Sequence, residues 1–476
     1  MRFINTFMSL KKSPVYILFI ALLISGCAAN SLIRNTAIDK TGRDNSYSLK
    51  AFQKSFSRPN NSLLLAFSGG GTRAAALSYG VLQELRDTIV ADNIGHNDAA
   101  PRNKSYRLLD DVGFISSVSG GSFTAAYYGI HGDKIFTDFE DVFLKKDIES
   151  PLLNYTLSPL NWFNKINRSE YAINYYEEEV FKGATFADML RPNAPMVLIN
   201  ATDLTHSVRF TFIQEYFDLL CSDLKIFSVS RAVAASSAVP LLFPPIVVEN
   251  FTDCLNGTPD WLKSAQFLAQ DDHDLALTVS GLEGYLDKKN HQFSHFIDGG
   301  ISDNLGLRSI SDISRISGGV NAMLERYKID LASRLVIISV DASTEPQTWI
   351  GESSAPPSVA NIINTMSDIQ LQRYNSATNI EMKRSLDELA QNSDTVKALE
   401  TYFIRLNFSQ IKNSDTKYLI NQIPTSLTLS DQEVDMVIKA GRNLLRENPE
   451  FQRLLNDITK VKIKNNFQRD DKRNQQ

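Results

Sequence analysis

The residues best suited to covalent chemistry lie in a glycine-rich turn around Ser119. An apolar run from Val112 to Val118 predicts a buried strand, two glycines follow Ser119, and Phe123 to Ile130 is compatible with a helix. A serine on a sharp strand-to-helix turn projects its hydroxyl above the sheet edge, where a nucleophile can meet a substrate. Ser119 is therefore a candidate nucleophile, although Ser117 replaces the first glycine of the usual G-x-S-x-G pattern.

A second glycine-rich turn lies upstream and is suited to holding negative charge. The apolar run Ser62 to Phe67 predicts a strand, Ser68-Gly-Gly-Gly-Thr-Arg-Ala74 follows, and Ala75 to Leu85 predicts a helix. Free amide groups and the helix dipole converge where a glycine loop opens a helix, and both favour an anion. The segment is therefore a candidate anion-binding loop, or else a tight turn with no ligand.

Three kinds of anion site fit such a loop to different degrees. A P-loop is excluded because no Gly-Lys-Ser/Thr closes the segment. The spacing Gly69-x-Gly71-x-x-Ala74 satisfies the loose dinucleotide-binding pattern, but the next predicted strand ends at Ser119 and not at an acidic residue. The third interpretation is an oxyanion hole, in which the amides of Gly70 and Gly71, helped by Arg73, stabilise a tetrahedral intermediate.

A serine hydroxyl needs a base, and Asp298 is the best-placed candidate. None of the six histidines follows a clear strand late in the chain, where a Ser-Asp-His order requires one. The run Phe293 to Asp298 predicts a short strand that ends in an acid, and Gly299 and Gly300 leave room beside it. A Ser-Asp dyad is the simplest interpretation. The alternative for Asp298 is an Asp-Gly-Gly turn without a chemical role.

Four segments together resemble the patatin-like phospholipases in type and order. They are Leu65-Ala-Phe-Ser-Gly-Gly-Gly-Thr-Arg-Ala74, Ser116-Ser-Val-Ser-Gly-Gly121, Ala234-Ala-Ser-Ser-Ala-Val-Pro240 and Ile297-Asp-Gly-Gly300. The resemblance implies an α/β protein with a three-layer α/β/α patatin-like fold, in which a mostly parallel sheet carries helices on both faces, with helical and loop insertions. The chain departs from the family pattern at Ser117, which replaces the first glycine around the nucleophile, and at Ala74, where the family often has glycine.

The same resemblance implies a reaction and a set of site residues. Ser119 would be the nucleophile and Asp298 the base, and the oxyanion loop would consist of Gly69, Gly70, Gly71 and Arg73. The reaction implied is hydrolysis of acyl esters in phospholipids or related lipids, without a metal or another cofactor. A lipid-binding or envelope-structural protein that keeps the fold without turnover is the alternative, and a dinucleotide-binding oxidoreductase is a more distant one.

The N-terminus predicts an exported lipoprotein. Three basic residues precede the apolar run Tyr16 to Ile24, which is short for a membrane span, and Ile24-Ser25-Gly26-Cys27 resembles a bacterial lipobox. Cys27 would then carry the lipid anchor, and Ala28 after it suggests export to the outer membrane. An ordinary signal peptide, or an uncleaved anchor with an incidental cysteine, are the alternatives.

The charge balance and the cysteine content limit the classes of partner and ligand that the protein can have. Removing residues 1–26 removes three basic and no acidic residues, which leaves a net charge of about −8. This balance argues against nucleic acid as a partner, because phosphate binding needs a basic surface, so the expected partner is a membrane reached through the lipid anchor. Cys221 and Cys254 would lie in an oxidising compartment and form a disulfide, or remain as two buried thiols. The histidines and cysteines form no metal-binding pattern.

The 476 residues have the composition of an ordinary globular protein. We divide them into a signal peptide (1–26), a tether with one short helix (27–61), a catalytic domain (62–447, motif core 62–306) and a charged, disordered tail (448–476). The domain has two expected insertions. The one at about 136–180 is rich in aromatic residues, which predicts either a cap or lipid-facing patch or a helical insert with its own core. The one at 253–292 is expected to be polar and rich in loops.

Overall fold

The computed structural model describes residues 31–38, 46–55, 60–91, 105–157, 167–240, 242–252, 254, 257–345, 351, 354, 356–391 and 399–459. Two sheets lie within these residues. The strands are β1 Ser62–Phe67, β2 Ile89–Ala91, β3 Ser105–Arg107, β4 Val112–Val118, β5 Met196–Asp203, β6 Val208–Thr211, β7 Ile246–Glu249, β8 Phe293–Asp298, β9 Arg334–Asp341 and β10 Glu400–Asn407.

Helices connect and cover these strands. They are α1 Leu49–Ser55, α2 Gly71–Asp87, α3 Gly120–His131, α4 Ile135–Phe139, α5 Glu149–Leu157, α6 Arg168–Tyr175, α7 Gln214–Phe217, α8 Val229–Ser236, α9 Asp260–Leu268, α10 His273–Gly284, α11 Gly300–Asp303, α12 Arg308–Ile316, α13 Val320–Tyr327, α14 Val359–Gln391, α15 Ser414–Gln422, α16 Asp431–Arg446 and α17 449–459.

The main sheet has eight strands in the order β10-β9-β1-β4-β5-β8-β7, with β6 also paired to β5. The five strands from β10 to β5 are parallel, while β6 and β8 run antiparallel to β5. Strands buried on both faces read as continuous apolar runs, which is why β1 and β4 were recognisable in the sequence. A mostly parallel sheet surrounded by helices confirms the predicted α/β class.

Alternate residues of β1 contribute to cores on opposite faces of the sheet. Leu65 and Phe67 belong to the large core under α2, α3 and α16, while Ala66 joins a smaller one with Met382 and Leu386 of α14. This follows from the twofold alternation of side chains along a strand. Both faces of the sheet are therefore covered, as a three-layer fold requires.

The register of β5 explains how two distant strands come to meet. Asn200 pairs with Val118 of β4 and with Thr211 of β6, so β4 and β6 occupy opposite edges of β5. The next residue, Ala201, pairs with Asp298 of β8 and with β6, so β8 lies on the same edge as β4. Since β8 is antiparallel to β5 and β4 is parallel, these two strands run towards each other. Their last residues, Val118 and Asp298, meet at the junction.

The described part of the tether predicted over 27–61 is packed on the domain. Asn35 is buried and exchanges hydrogen bonds with the backbone of Glu249. The predicted short helix is present as α1, and Tyr47 and Phe52 join the main core. Apolar residues in this segment supply enough buried surface to fix it. Residues 1–30, which include Cys27, lie outside the described residues.

The described parts of both insertions and of the tail are rich in helix. The described part of the aromatic insertion is helical, but its rings join the main core and do not form a separate one: Phe143 stacks on Phe123 of α3, and Tyr176 is buried in the same core. The region expected to be a loop at 253–292 is mostly α9 and α10. The disordered tail was placed too early, because α17 buries Phe451 and Leu454. No helix among the described residues has the length and apolar character needed to cross a membrane.

Candidate active site

Ser119 occupies a strained turn between β4 and α3. Its φ of 50° lies in the left-handed region, which a residue with a side chain adopts only when the surroundings impose it. The chain can turn here because glycine follows: a Cβ on Gly120 would lie 1.9 Å from the carbonyl oxygen of Gly71. The predicted strand, turn and helix are therefore all present, and they bring the turn against the first glycine loop.

The structure brings Ser119 and Asp298 together across 179 positions of sequence. The Ser119 Oγ donates to Asp298 Oδ2 at 2.8 Å, and the amide of Gly300 donates to the other carboxylate oxygen at 2.7 Å. Asp298 is only 7% exposed. Burial raises the pKa of its carboxyl group to about 6, although these two hydrogen bonds act in the opposite direction. The carboxylate is thus positioned, ionised at neutral pH and more basic than an exposed one.

A hydrogen-bond network beneath the turn fixes this pair. The Ser236 hydroxyl of α8 accepts from the Ser119 amide at 2.8 Å and donates to the Asn200 carbonyl at 2.6 Å. The amides of Asp298 and Gly299 donate to the carbonyls of Ala238 and Ser236. The contact between the Ser236 hydroxyl and the turn was not predicted from the sequence. The only signal for it was a pair of serines in an otherwise apolar segment.

The glycine loop lies directly beside the nucleophile. A Cβ on Gly69 would lie 3.3 Å from the Ser119 Cβ, and the Gly69 amide is already used, since it donates to the Asn304 carbonyl at 3.0 Å. No acceptor for the amides of Gly70 or Gly71 is found within the described part of the chain. Of the predicted oxyanion residues, Gly70 and Gly71 therefore have amides left for a ligand, and Gly69 does not.

Gly71 also has no room for a side chain. Its φ is +61°, and a Cβ there would lie 2.3 Å from the carbonyl oxygen of Ser426. The following amide, of Thr72, donates to the same carbonyl at 2.9 Å. The segment before α16 thus supports the loop from behind, a contact between residues too far apart in the chain for local patterns to predict.

Arg73 was predicted to help bind the oxyanion, but its guanidinium group holds the protein backbone. It is 4% exposed and donates to the carbonyls of Ala342 and Ile423 and to the hydroxyl of Thr425. These acceptors follow β9 and α15, so Arg73 ties the glycine loop to the C-terminal part of the domain. We therefore regard Arg73 as a residue that positions the loop.

The departure from the usual elbow pattern has a local explanation. The Ser117 side chain is fully buried, where it donates to the Leu198 carbonyl at 3.2 Å and accepts from the Ser122 hydroxyl at 3.2 Å. Because the hydroxyls of Ser117 and Ser122 both have hydrogen-bond partners, a serine fits where the pattern has glycine.

Asn304 is a further polar residue at the site that sequence analysis overlooked. It is 5% exposed, its carbonyl receives the Gly69 amide, and its Nδ2 is buried without an acceptor among the described residues. A Cβ on Gly300 would lie 3.2 Å from its Oδ1. Asn304 therefore links the glycine loop to the turn after Asp298.

His206 belongs to a polar cluster other than the one around Ser119 and Asp298. His206 Nδ1 lies 2.7 Å from Asp203 Oδ2, and the Tyr285 hydroxyl donates to the same oxygen at 2.6 Å. Asp203 therefore has a structural role. Among the described residues, no three His, Cys, Asp or Glu side chains are arranged to hold a metal ion.

Cys221 and Cys254 form a disulfide, with their Cα atoms 5.4 Å apart, as predicted. The bond closes a loop of 33 residues. It lies beside residues 31–38, since the Ile38 amide donates to the Cys221 carbonyl at 2.9 Å.

A large cavity lies at the opposite end of the strands. It has a volume of about 200 Å³ and is lined mainly by apolar side chains from the amino ends of β1, β4 and β9 and from α12 to α14, including Leu64, Phe114, Leu335, Met323 and Leu386. Neither Ser119 nor Asp298 lines it.

Comparison with known proteins places this chain in a family. The family model for patatin-like phospholipases matches residues 65–310, more than half of the chain. A search of curated protein sequences finds no significant match. The chain thus belongs to the patatin-like phospholipase family, as its four motifs indicated.

Two solved structures are similar to this chain at low identity. Human GIVD cytosolic phospholipase A2 is 12% identical with a TM-score of 0.36, over 87% of this chain and 63% of that one. The type III effector protein ExoU is 13% identical with a TM-score of 0.21, over 82% of this chain and 75% of that one. The chain therefore spans less than two thirds of the length of the first of them.

Proposed function

We propose that this protein is a serine-dependent lipid acyl hydrolase that cleaves acyl esters of membrane phospholipids or lysophospholipids. The single observation that carries the proposal is the 2.8 Å hydrogen bond from the Ser119 hydroxyl to the buried carboxylate of Asp298. A carboxylate so placed accepts the hydroxyl proton while the oxygen attacks an ester carbonyl. Membership of the phospholipase family supports a lipid ester as the substrate.

The first half of the reaction forms an acyl-enzyme. Ser119 Oγ attacks the carbonyl carbon, and its proton passes to Asp298 Oδ2. The amides of Gly70 and Gly71 donate to the oxyanion of the tetrahedral intermediate, an arrangement that contributes roughly 3 kcal/mol per donor in other hydrolases. The intermediate then breaks the bond to the leaving alcohol, which takes the proton from Asp298.

The second half releases the fatty acid. Asp298, ionised again, accepts a proton from water, and the resulting hydroxide attacks the acyl carbonyl. The second tetrahedral intermediate uses the same two amides and collapses to a free carboxylic acid, while Asp298 returns its proton to Ser119. The balance is one ester and one water consumed, with one acid and one alcohol formed.

The protein would act from a membrane. A basic segment, a short apolar run and Ile24-Ser25-Gly26-Cys27 support export and lipidation at Cys27, with the outer membrane as the destination. A lipid-modified cysteine carries more than one acyl chain, which is enough for stable anchoring.

A lipid panel with a matched variant tests the proposal. Full-length protein is assayed for fatty-acid release from phospholipids, lysophospholipids and a soluble ester, p-nitrophenyl butyrate, and Ser119 is probed with a fluorophosphonate. The unmodified protein should release fatty acid and be labelled, and Ser119→Ala should lose both, with activity falling at least about 10³-fold. Ser122→Ala, which removes a nearby buried hydroxyl, should retain labelling.

The outcomes separate the two functional classes. Lipid binding by a folded protein without labelling or fatty-acid release would favour the non-catalytic lipid-binding or envelope-structural alternative. Fatty-acid release by Ser119→Ala at the unmodified rate would show that another residue is the nucleophile.

A further inference from the structure

Residues 31–38, which we call the strap, are fixed along one side of the catalytic domain. The Ser31 hydroxyl donates to the Pro245 carbonyl at 3.4 Å, and the Leu32 amide and carbonyl bond to Glu170 and Arg231. Glu170 and Arg231 form a buried ion pair with an oxygen–nitrogen distance of 2.6 Å. The first described residue of the chain is therefore held to the domain by polar contacts.

The rest of the strap continues the attachment. Asn35 pairs with the backbone of Glu249 through both its amide nitrogen and its amide oxygen, at 2.8 and 2.9 Å. The Thr36 carbonyl accepts from the Asp223 amide, and the Ile38 amide donates to the Cys221 carbonyl, both at 2.9 Å. The disulfide from Cys221 to Cys254 holds the surface to which the strap binds.

The strap limits how far a lipid on Cys27 can lie from the domain. Four residue steps separate Cys27 from Ser31, and a fully extended chain of that length spans at most about 14 Å. A lipid at Cys27 would therefore hold the bilayer surface near Pro245. The tether predicted over 27–61 implied no such restriction.

Exposed aliphatic residues lie close in sequence to Pro245 and to the turn after Asp298. We call Val239, Leu242 and Ile301 the apolar rim; they are 37%, 59% and 55% exposed. Val239 directly follows Ala238, whose carbonyl accepts the Asp298 amide at 3.0 Å. Ile301 follows Gly300, whose amide binds the Asp298 carboxylate. The rim is thus joined at two points to the residues that position the proposed base.

We infer that the apolar rim docks on the phospholipid leaflet that holds the protein's own lipid anchor, so that the active site faces that leaflet. This inference rests on the proposed function, because it requires lipidation of Cys27 and hydrolysis at Ser119. The strap brings the leaflet to Pro245, and the rim presents the aliphatic surface that a leaflet accepts. The mature chain carries more acidic than basic residues, so attachment depends on apolar contact and little on salt.

The first test compares two leucines of equal exposure. Leu242 is 59% and Leu277, on α10, is 60% exposed. Full-length lipidated proteins are assayed on phosphatidylcholine–phosphatidylglycerol vesicles and on soluble p-nitrophenyl butyrate. Leu242→Asp should lower the ratio of vesicle to soluble-ester rates at least about tenfold, because burial of one leucine side chain is lost. Leu277→Asp should keep the ratio of the unmodified protein.

The second test asks which vesicles are attacked. The lipidated protein is reconstituted into vesicles that contain one fluorogenic phospholipid and is mixed with protein-free vesicles that contain another. Hydrolysis should be confined mainly to the vesicles that carry the protein. Inserting a Gly-Ser linker of about 30 residues between Ala29 and Asn30 should lower that preference, since such a linker spans roughly 30 Å.

Each result has a distinct meaning. An equal rate on both vesicle populations for the unmodified protein, or an unchanged rate ratio in Leu242→Asp, would overturn the orientation inference while leaving the hydrolase proposal intact. Failure of the unmodified protein to hydrolyse even the soluble ester would instead refute the proposed function.

Discussion

The two ends of the central strands differ in a way that separates chemistry from packing. At the carboxyl ends, Ser119 and Asp298 are hydrogen bonded to each other and to a surrounding network of amides and hydroxyls. At the amino ends of β1, β4 and β9 lies an apolar cavity of about 200 Å³, where side chains leave space unfilled. One end of the sheet is closely packed around the reacting pair, whereas the other leaves a cavity with a mainly apolar lining.

The two ends lower the stability of the folded protein in different ways. Burying a carboxylate opposes folding, and the raised pKa of Asp298 is the signature of that cost. A cavity also lowers stability, but only through lost contacts, and its walls can relax. Substitutions at the catalytic end should therefore affect activity first, while substitutions around the cavity should affect stability alone.

Asp298→Asn should have the largest effect on activity because it removes the proposed general base. Hydrolysis should fall at least about 10³-fold, since Asn cannot accept the Ser119 proton. The folded-state pKa of about 6 exceeds the ordinary 3.8, so the stability associated with this group is present below pH 3.8 and lost as pH rises through 6. Asn does not ionise, and the variant should be more stable than the unmodified protein at pH 8, by about 3 kcal/mol.

Denaturant unfolding at pH 4 and pH 8 measures this effect, with activity assayed on the same samples. The stability gain should be confined to the higher pH. A variant that is less stable at pH 8 would mean that the buried carboxylate is a net stabilising group.

Gly71→Ala tests whether the glycine loop is as closely held as the dyad residues. A Cβ there would meet the Ser426 carbonyl, so the loop must shift, and kcat/KM should fall about 10²-fold through displaced oxyanion donors. Gly183→Ala is the matched control, because Gly183 also has a positive φ but no atom within 4 Å of the added Cβ. Equal activity losses in the two variants would show that backbone strain, and not the oxyanion loop, is responsible.

Leu386→Ala enlarges the cavity at the other end of the sheet. Leu386 is 5% exposed and lines the cavity, so the variant should lose about 2–5 kcal/mol of unfolding free energy. Activity per folded molecule should stay within about twofold, because neither reacting group lines the cavity. A large fall in kcat for the folded variant would show that the two ends are coupled.

Replacing Cys221 and Cys254 together by serine should have the smallest effect on activity. The disulfide closes a loop of 33 residues, and its loss should lower the unfolding free energy by about 2–4 kcal/mol. Activity on a soluble ester should persist, since neither cysteine contacts Ser119 or Asp298. Loss of that activity in a folded variant would show that the surface under the strap is coupled to the active site.

Much of the fold and the reacting pair could be predicted from local patterns. Continuous apolar runs identified β1 and β4. Ser119 and Asp298 were recognisable because each ends a strand next to glycines. These features depend on short stretches of sequence, where periodicity and turn chemistry are informative.

The contacts that complete the site depend on residues far apart in the chain. Ser426 supports Gly71, and Arg73 binds carbonyls about 270 and 350 positions away. No pattern in the sequence specifies such pairs, which is why Arg73 was interpreted as an oxyanion donor. The packed strap was missed for a related reason: its polar residues bond to backbone groups on distant loops, so its composition resembled a linker.

The most direct test of the central claim is the pH dependence of fluorophosphonate labelling at Ser119. If Asp298 is the base, the labelling rate should rise about tenfold per pH unit below 6 and level off above it, because only the ionised carboxylate accepts the proton. Asp298→Asn should be labelled slowly and without this dependence. Labelling of Asp298→Asn at the unmodified rate, with the same pH profile, would contradict the assignment of Asp298 as the base.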